Sequence, residues 1–300
     1  MEHISNTNLE FLPHDANSLL DDKSKHQLDI ISTKIRMEII DSTFHAKSGH
    51  PGGSLSIADI IAYLYFYRMN ASADNANDPD RDRFVLSKGH CAPALYAALA
   101  LKGYFPVEEM KFLRKTGHML QGHPDKKHIP GIDMSSGSLG QGISAACGMA
   151  IAAKMQNKDY KVYCVLGDGE IQEGQVWESA MFAAHYKLNN LMAFIDFNDL
   201  QITGRTTEIM SLGDIRAKFE AFGWNAISID GHDFYELDNA WHSFINSDRP
   251  TAVICNTLKG KGVSFMEDVC YWHGNPPNAE QHALAMNELV EKMNSLVEEI

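Results

Sequence analysis

Three hundred residues suffice for one large domain or two small ones, with enough chain to bury a proper core. With 44% hydrophobic and 22% charged residues, the composition is that of a soluble globular protein rather than a disordered or fibrous one. A net charge of −13 argues against general binding to nucleic acid or to anionic membranes, so neither is expected as a partner.

In chain order, residues 1–25 are polar and patternless and read as an N-terminal arm. From His26 the pattern is helical: Leu28, Ile31, Ile35 and Ile39 share one face, and the run stops at Lys47-Ser48-Gly49. A second helix is expected over 56–68, a strand over 83–86 and a helix over 93–102. An Ala- and Gly-rich helix over 140–155 suits close packing on a sheet. It is followed by a strand over 161–166, a helix over 175–186 and a buried strand over 191–196. A strand near 225–229, a helix over 233–245, a strand over 251–256 and a last helix over 280–300 complete the chain. Strands separated by helices of this length imply an α/β fold, a parallel sheet covered by helices on both faces, forming one domain over 26–300.

The apolar stretch 143–153 is too short to cross a bilayer, and the N-terminus has no secretory pattern. Five cysteines, odd in number and spread singly, read as reduced thiols. A cytoplasmic location is therefore expected.

The run Gly167-Asp168-Gly169-Glu170-Ile171-Gln172-Glu173-Gly174 lies at the end of a predicted strand. Glycines on either side of an acid allow a sharp turn and close approach of a ligand to the backbone. Taken alone, Gly-Asp-Gly is equally a strand-to-helix loop whose Asp caps the next helix. The next predicted strand runs into Phe197-Asn198-Asp199-Leu200. If the two strands are neighbours, Asp168 and Asn198 emerge at one edge, where parallel sheets bind ligands. One carboxylate and one amide oxygen form a sparse set, suited to Mg2+ completed by phosphate and water, and unsuited to a Zn2+ site.

The histidines give a second line. Five of 14 follow a glycine (His50, His90, His118, His123 and His232), where chance predicts roughly one. A lone histidine is more often a surface or hydrogen-bonded structural residue. Repeated Gly-His turns fit imidazoles set around a pocket, where the neutral ring donates, accepts and carries protons.

Gly167-Asp168-Gly169 followed about thirty residues later by Asn198 after a buried strand is similar to the thiamine diphosphate fingerprint, and the longer run to Gly174 resembles transketolase in particular. Further segments resemble that family almost in order: Ser48-Gly49-His50-Pro51-Gly52, Ser87-Lys88-Gly89-His90, Gly122-His123-Pro124, Gly137-Ser138-Leu139-Gly140-Gln141-Gly142 and Trp272-His273-Gly274. One departure is Ser138, where many full-length transketolases have Pro. The resemblance implies the thiamine diphosphate-binding fold and Mg2+ held by the side chains of Asp168 and Asn198 and the carbonyl of Leu200, with Ca2+ or Mn2+ able to substitute. It implies cofactor contacts from His90, Gly137, Ser138, Leu139, Gly167, Asp168, Gly169, Glu170, Asn198 and His273. It gives His50, His123 and His273 catalytic roles on the donor sugar, and places Glu173 and Glu178 at a subunit contact, although Glu178 reads equally as an exposed helix carboxylate. His118 and His232 carry no implied role and are taken as structural.

The implied activity is transketolase-type glycolaldehyde transfer: a two-carbon ketol unit passes from a ketose, free or phosphorylated, to an aldose. In the family a second domain holds the cofactor's pyrimidine ring, and after His273 this chain offers only a Pro276-Pro277 linker and a helix. The resemblance therefore implies a separate C-terminal subunit, carrying the pyrimidine-binding and C-terminal domains, in an α2β2 assembly. The nearest rivals are a subunit of a 2-oxo acid dehydrogenase, a deoxyxylulose-phosphate-type synthase, and a non-catalytic cofactor-binding homologue. The Ser-Gly-His-Pro-Gly and Gln-Glu-Gly segments argue against the first two, and the intact Asp168, Asn198 and histidine set against the third.

Overall fold

A computed structural model describes residues 18–298 of the chain. Residues 1–17 of the expected arm, and the last two of the expected final helix, lie outside them. Helix α1 (Asp22–Ala46) begins one turn before His26, so the end of the expected arm is helical. Asp21 is the reason: its side chain caps the helix, accepting the Ser24 N–H at 2.7 Å. The helix stops where expected, with Lys47 in the left-handed region at φ 52°.

The expected helix over 56–68 is three pieces: α2 (Pro51–Ser56), α3 (Ala58–Tyr63) and a π-helical turn, Leu64–Arg68. Pro51 opens α2, where its missing N–H costs nothing, and the break falls at Ile57. Buried Arg68 closes the π turn; it pairs with Asp238 and lies 4.2 Å from the ring centre of Trp241.

The central elements follow the sequence reading within a residue or two. They are β1 (Arg83–Leu86), α4 (Ala92–Leu101), α5 (Gln141–Met155), β2 (Val162–Gly167), α6 (Gly174–His185) and β3 (Leu191–Phe197). A two-residue hairpin, β4 (Leu200–Gln201) and β5 (Gly204–Arg205), then leads to α7 (Thr206–Ile209) and α8 (Ile215–Ala221). None of these four was expected, because each is shorter than the window in which periodicity can be counted. Asp214, whose side chain caps α8 at Ala217 N–H (2.9 Å), was a readable signal. The remaining elements are β6 (Asn225–Asp230), α9 (Phe234–Ile245), β7 (Thr251–Asn256) and α10 (Ala279–Glu298).

Five strands form one sheet in the order β1-β2-β3-β7-β6, every pair parallel. Their side chains alternate between two cores. Tyr163, Val165, Met192, Phe194 and Val253 join the core that holds buried residues of α1, α3, α4 and α9. Val162, Cys164, Leu166, Ala193 and Ile195 face the one that holds residues of α5, α6 and α8. Helices cover both faces of an α/β sheet, as expected. Among the described residues, no helix is long and apolar enough to cross a membrane.

Phe194 of β3 is fully buried at the middle of the sheet. Phe194→Ala is expected to lower the unfolding free energy by about 3–5 kcal/mol, read as a lower urea midpoint. A loss under about 1 kcal/mol would contradict this packing.

Candidate functional site

In the register of β2 and β3, Gly167 stands opposite Asp196, so both strands end together. Asp168 and Asn198 follow at this carboxyl edge, as the sequence led one to expect. Between them lies Asp196, a residue the sequence reading passed over. Its fully buried carboxylate accepts hydrogen bonds from Ser56 Oγ (2.6 Å), Lys88 Nζ (2.5 Å), Asn198 Nδ2 (2.8 Å) and Thr257 Oγ1. Burial acts to raise its pKa, but the charge and hydrogen bond of Lys88 and the hydroxyl donors outweigh this and hold it below the ordinary range.

By taking the Asn198 N–H, Asp196 fixes which way that amide faces, and Asn198 Oδ1 then accepts the Leu200 N–H at 3.1 Å. Asp168 is also buried, but its charge is poorly served. Oδ1 accepts from Gly169 N–H at 2.7 Å, while Oδ2 has no partner. Burial, with the charge of Asp196 added, raises its pKa to about 6. A buried carboxylate oxygen without a donor is costly, and a bound cation or water is one way to satisfy it. Lys259, missed in the sequence, reaches the same place: Nζ donates to the Leu200 carbonyl at 2.5 Å and lies 3.2 Å from His273 Nδ1. Its turn is braced by His232, whose Nε2 accepts the Leu258 N–H at 2.9 Å while Nδ1 donates to Asp59 at 2.7 Å. His232 is therefore structural, as expected. His118 is a surface residue that stacks on Phe112 with ring centres 4.1 Å apart.

Of the expected cation ligands, Asp168 has an unpartnered oxygen, whereas Asn198 Oδ1 accepts the Leu200 N–H and the Leu200 carbonyl accepts the Lys259 ammonium, so a cation taking that carbonyl would have to displace Lys259 from it. The three are too few for an all-protein cage, which would leave positions for phosphate oxygens and water. Among the described residues, no cluster of three His, Cys, Asp or Glu side chains forms a metal site.

Three expected histidines come together beside this edge. Ring centres of His50 and His90 are 5.2 Å apart, those of His90 and His273 5.2 Å, and those of His50 and His273 5.6 Å. Burial, then nearby cations, keeps all three neutral. The His50 pKa falls to about 4, with Arg114 the next cause, and that of His273 to about 3, with Lys259 next. His90 falls well below its ordinary value through burial, then Lys88. His123 lies outside the triangle; its ring packs over Gly137, where an added Cβ would come 3.2 Å from Cγ. Gly137 has φ 152°, and with exposed Ser138 and Leu139 it forms the turn that opens α5.

Glu170 occupies a different position from an open cofactor ligand. Its buried carboxylate already accepts from Ser87 Oγ (2.5 Å), Gly140 N–H (2.9 Å) and Gly167 N–H (2.9 Å). It ties the Gly137–Gly140 turn to the end of β2 and shapes the cradle through its neighbours. Glu173 and Glu178 are exposed at the start and on the outer face of α6. A cavity of about 770 Å³ lies at the opposite ends of the strands, lined by Asp82, Lys161, Tyr163 and Trp241, and contains none of these residues.

Residues 27–293 match the family described as transketolase, thiamine diphosphate binding domain. The chain is 42% identical over 273 residues to an apulose-4-phosphate transketolase subunit of Phocaeicola vulgatus, covering 91% of this chain and 97% of that one. It is 46% identical over 266 residues to a 6-deoxy-6-sulfo-D-fructose transketolase subunit of a Clostridium species, covering 88% and 95%. Transketolase of Rattus norvegicus is 44% identical over 257 residues, but there the match covers 85% of this chain and 41% of that protein. Among solved structures, transketolase of Campylobacter jejuni superposes with a TM-score of 0.83 at 30% identity, over 90% of this chain and 45% of that one. The chain thus spans nearly the whole of two subunit relatives and less than half of the full-length ones.

The buried charge of Asp168 has a measurable cost. Its folded-state pKa lies above the unfolded one, so ionisation destabilises the fold. The penalty is absent below about pH 4 and complete above about pH 6. Asp168→Asn is therefore expected to raise the melting temperature of the cofactor-free chain at pH 7.5, by a gain of up to about 3 kcal/mol that vanishes near pH 4. Destabilisation at pH 7.5 would contradict the orphaned charge.

Proposed function

The chain belongs to the transketolase family through its thiamine diphosphate-binding domain, and on that premise we propose that it is the cofactor-anchoring subunit of a two-chain transketolase. With a partner subunit it transfers a two-carbon ketol unit from a ketose to an aldose. The donor is given only as a ketose, because the two subunit relatives are named for different sugars. The observation that carries this reading is the unpartnered Oδ2 of buried Asp168, beside Asn198 and the Leu200 carbonyl. Together these would hold Mg2+, with Ca2+ or Mn2+ able to substitute, and the metal would anchor a diphosphate.

When bound, thiamine diphosphate supplies the nucleophile that takes up and hands on the two-carbon unit. This chain's own residues position and polarise. Lys88 and Lys259 supply positive charge around the diphosphate in a protein that is acidic as a whole. The Gly137-Ser138-Leu139 turn would lie over the cofactor, and Gly167 and Gly169 let the backbone approach it. His50, His90, His123 and His273 offer neutral imidazoles. His90 is assigned to the diphosphate, and the other three to hydroxyl and carbonyl oxygens of the donor.

The partner would carry what full-length transketolases have beyond this match, namely the pyrimidine-binding and C-terminal domains. An α2β2 assembly places two sites at the interfaces, with Glu173 and Glu178 on the contact face. Residues 26–300 are assigned to one diphosphate-binding domain. A cytoplasmic location accords with five cysteines that are all unpaired.

Two outcomes test the proposal. The isolated chain should show no ketol transfer, and the chain mixed with its partner should; substantial turnover by the chain alone would refute the two-chain reading. Asp168→Ala in the assembled complex should abolish Mg2+-dependent binding of thiamine diphosphate, followed by calorimetric titration. Unchanged affinity would remove Asp168 from the cation site.

A further inference from the structure

Arg114 belongs to none of the motifs that carry the resemblance, yet it touches two of the histidine loops at once. Its NH1 donates to Ser48 Oγ at 3.0 Å, its NH2 donates to the Gly122 carbonyl at 3.3 Å, and the same NH2 faces His50 Nδ1 at 3.5 Å. The loop carrying His50 and the loop carrying His123 are therefore joined through one guanidinium.

The surroundings are built for this placement. A Cβ at Gly122 would come 3.0 Å from Cζ and Nε of Arg114, so a larger residue there would displace the guanidinium. Arg114 itself has φ 59°, in the left-handed region that arginine rarely adopts, at a cost of about 1 kcal/mol. The backbone is fixed there by the Arg114 N–H, which donates to the Leu120 carbonyl at 2.8 Å.

A guanidinium has only donors and keeps its charge at any ordinary pH. A ring nitrogen facing it must present its lone pair. Neutral imidazole carries one N–H, so the proton of His50 sits on Nε2. That nitrogen has no hydrogen-bond partner among the described residues, and it lies on the side of Gly274, whose added Cβ would come 3.6 Å from it. The depressed basicity of His50, caused by burial and then by Arg114, agrees with this state. A parallel relation occurs at His273, where Lys259 Nζ stands against Nδ1.

We propose that Arg114 is a positioning residue that fixes His50 as the Nε2–H tautomer, so that His50 serves as a hydrogen-bond donor to a substrate oxygen and not as a base. The role at substrate rests on the transketolase reading; the tautomer does not. A donor aimed at an oxygen that gains negative charge stabilises it in proportion to how well it is preorganised.

The tautomer can be read in the cofactor-free chain by two-bond 1H–15N correlation of the imidazoles, with His50 assigned through His50→Gln. Wild type should show the Nε2–H pattern. Arg114→Lys should keep it, because an ammonium also only donates. Arg114→Gln should release it toward a mixture, because the amide oxygen can accept from Nδ1–H. An Nδ1–H pattern in wild type, or an unchanged pattern in Arg114→Gln, would overturn the proposal. An Nδ1–H pattern in wild type overturns the proposal even where a variant does not fold, and the shift in Arg114→Gln is what supports it. In the assembled complex, kcat should fall about tenfold or more in Arg114→Gln and largely recover in Arg114→Lys; equal loss in both would refute the tautomer role.

Discussion

The carboxylate of Asp196 is the point from which the site is organised. It stands fully buried at the end of the central strand, and its four donors come from four separate segments: Ser56, Lys88, Asn198 and Thr257. A charge in that position is tolerated only because each donor is aimed at it, and removing one would leave the others misdirected. The constraint also works outward. Lys88 is drawn to the sheet edge, the Asn198 amide is held in one orientation, and the turn after β7 that carries Lys259 is joined to the end of β3.

The second feature is an uneven distribution of charge. Overall the chain is acidic, yet Lys88, Lys259 and Arg114 gather at this edge around imidazoles that burial and those same cations keep neutral. Among the described residues, the carboxylate there left with a buried, unpartnered oxygen is Asp168. The edge thus combines an unpartnered carboxylate oxygen with clustered positive groups and uncharged imidazoles. The carboxylates of Glu173, just before α6, and Glu178, on it, are exposed.

The parallel sheet was legible because its strands are short buried runs separated by helices long enough to count. Asp168 and Asn198 were legible because strand ends and glycines mark the edge on which they sit. The helix over 56–68 was misjudged because continuous burial from Pro51 to Arg68 hides the break at Ile57; every residue there faces protein, so no face is polar. Asp196, Lys88, Lys259 and Arg114 were unreadable as site residues, since a charged residue announces itself only through its partners, and each has one far away in the chain: Lys88 and Asp196 are 108 positions apart, Arg114 and Ser48 66, and Lys259 and Leu200 59. Glu170 shows what a motif leaves unsaid about its own members. It sits inside the motif, but Ser87, Gly140 and Gly167 already occupy its oxygens.

The most direct measurement is a crystal structure of the complex with its partner, grown with thiamine diphosphate and Mn2+, with the metal located by its anomalous scattering. The account requires a single cation peak at bonding distance from the Asp168 carboxylate, the Asn198 amide oxygen and the Leu200 carbonyl, bridging to the diphosphate. A peak elsewhere, or one at this edge with Asp168 and Asn198 turned away from it, would contradict it.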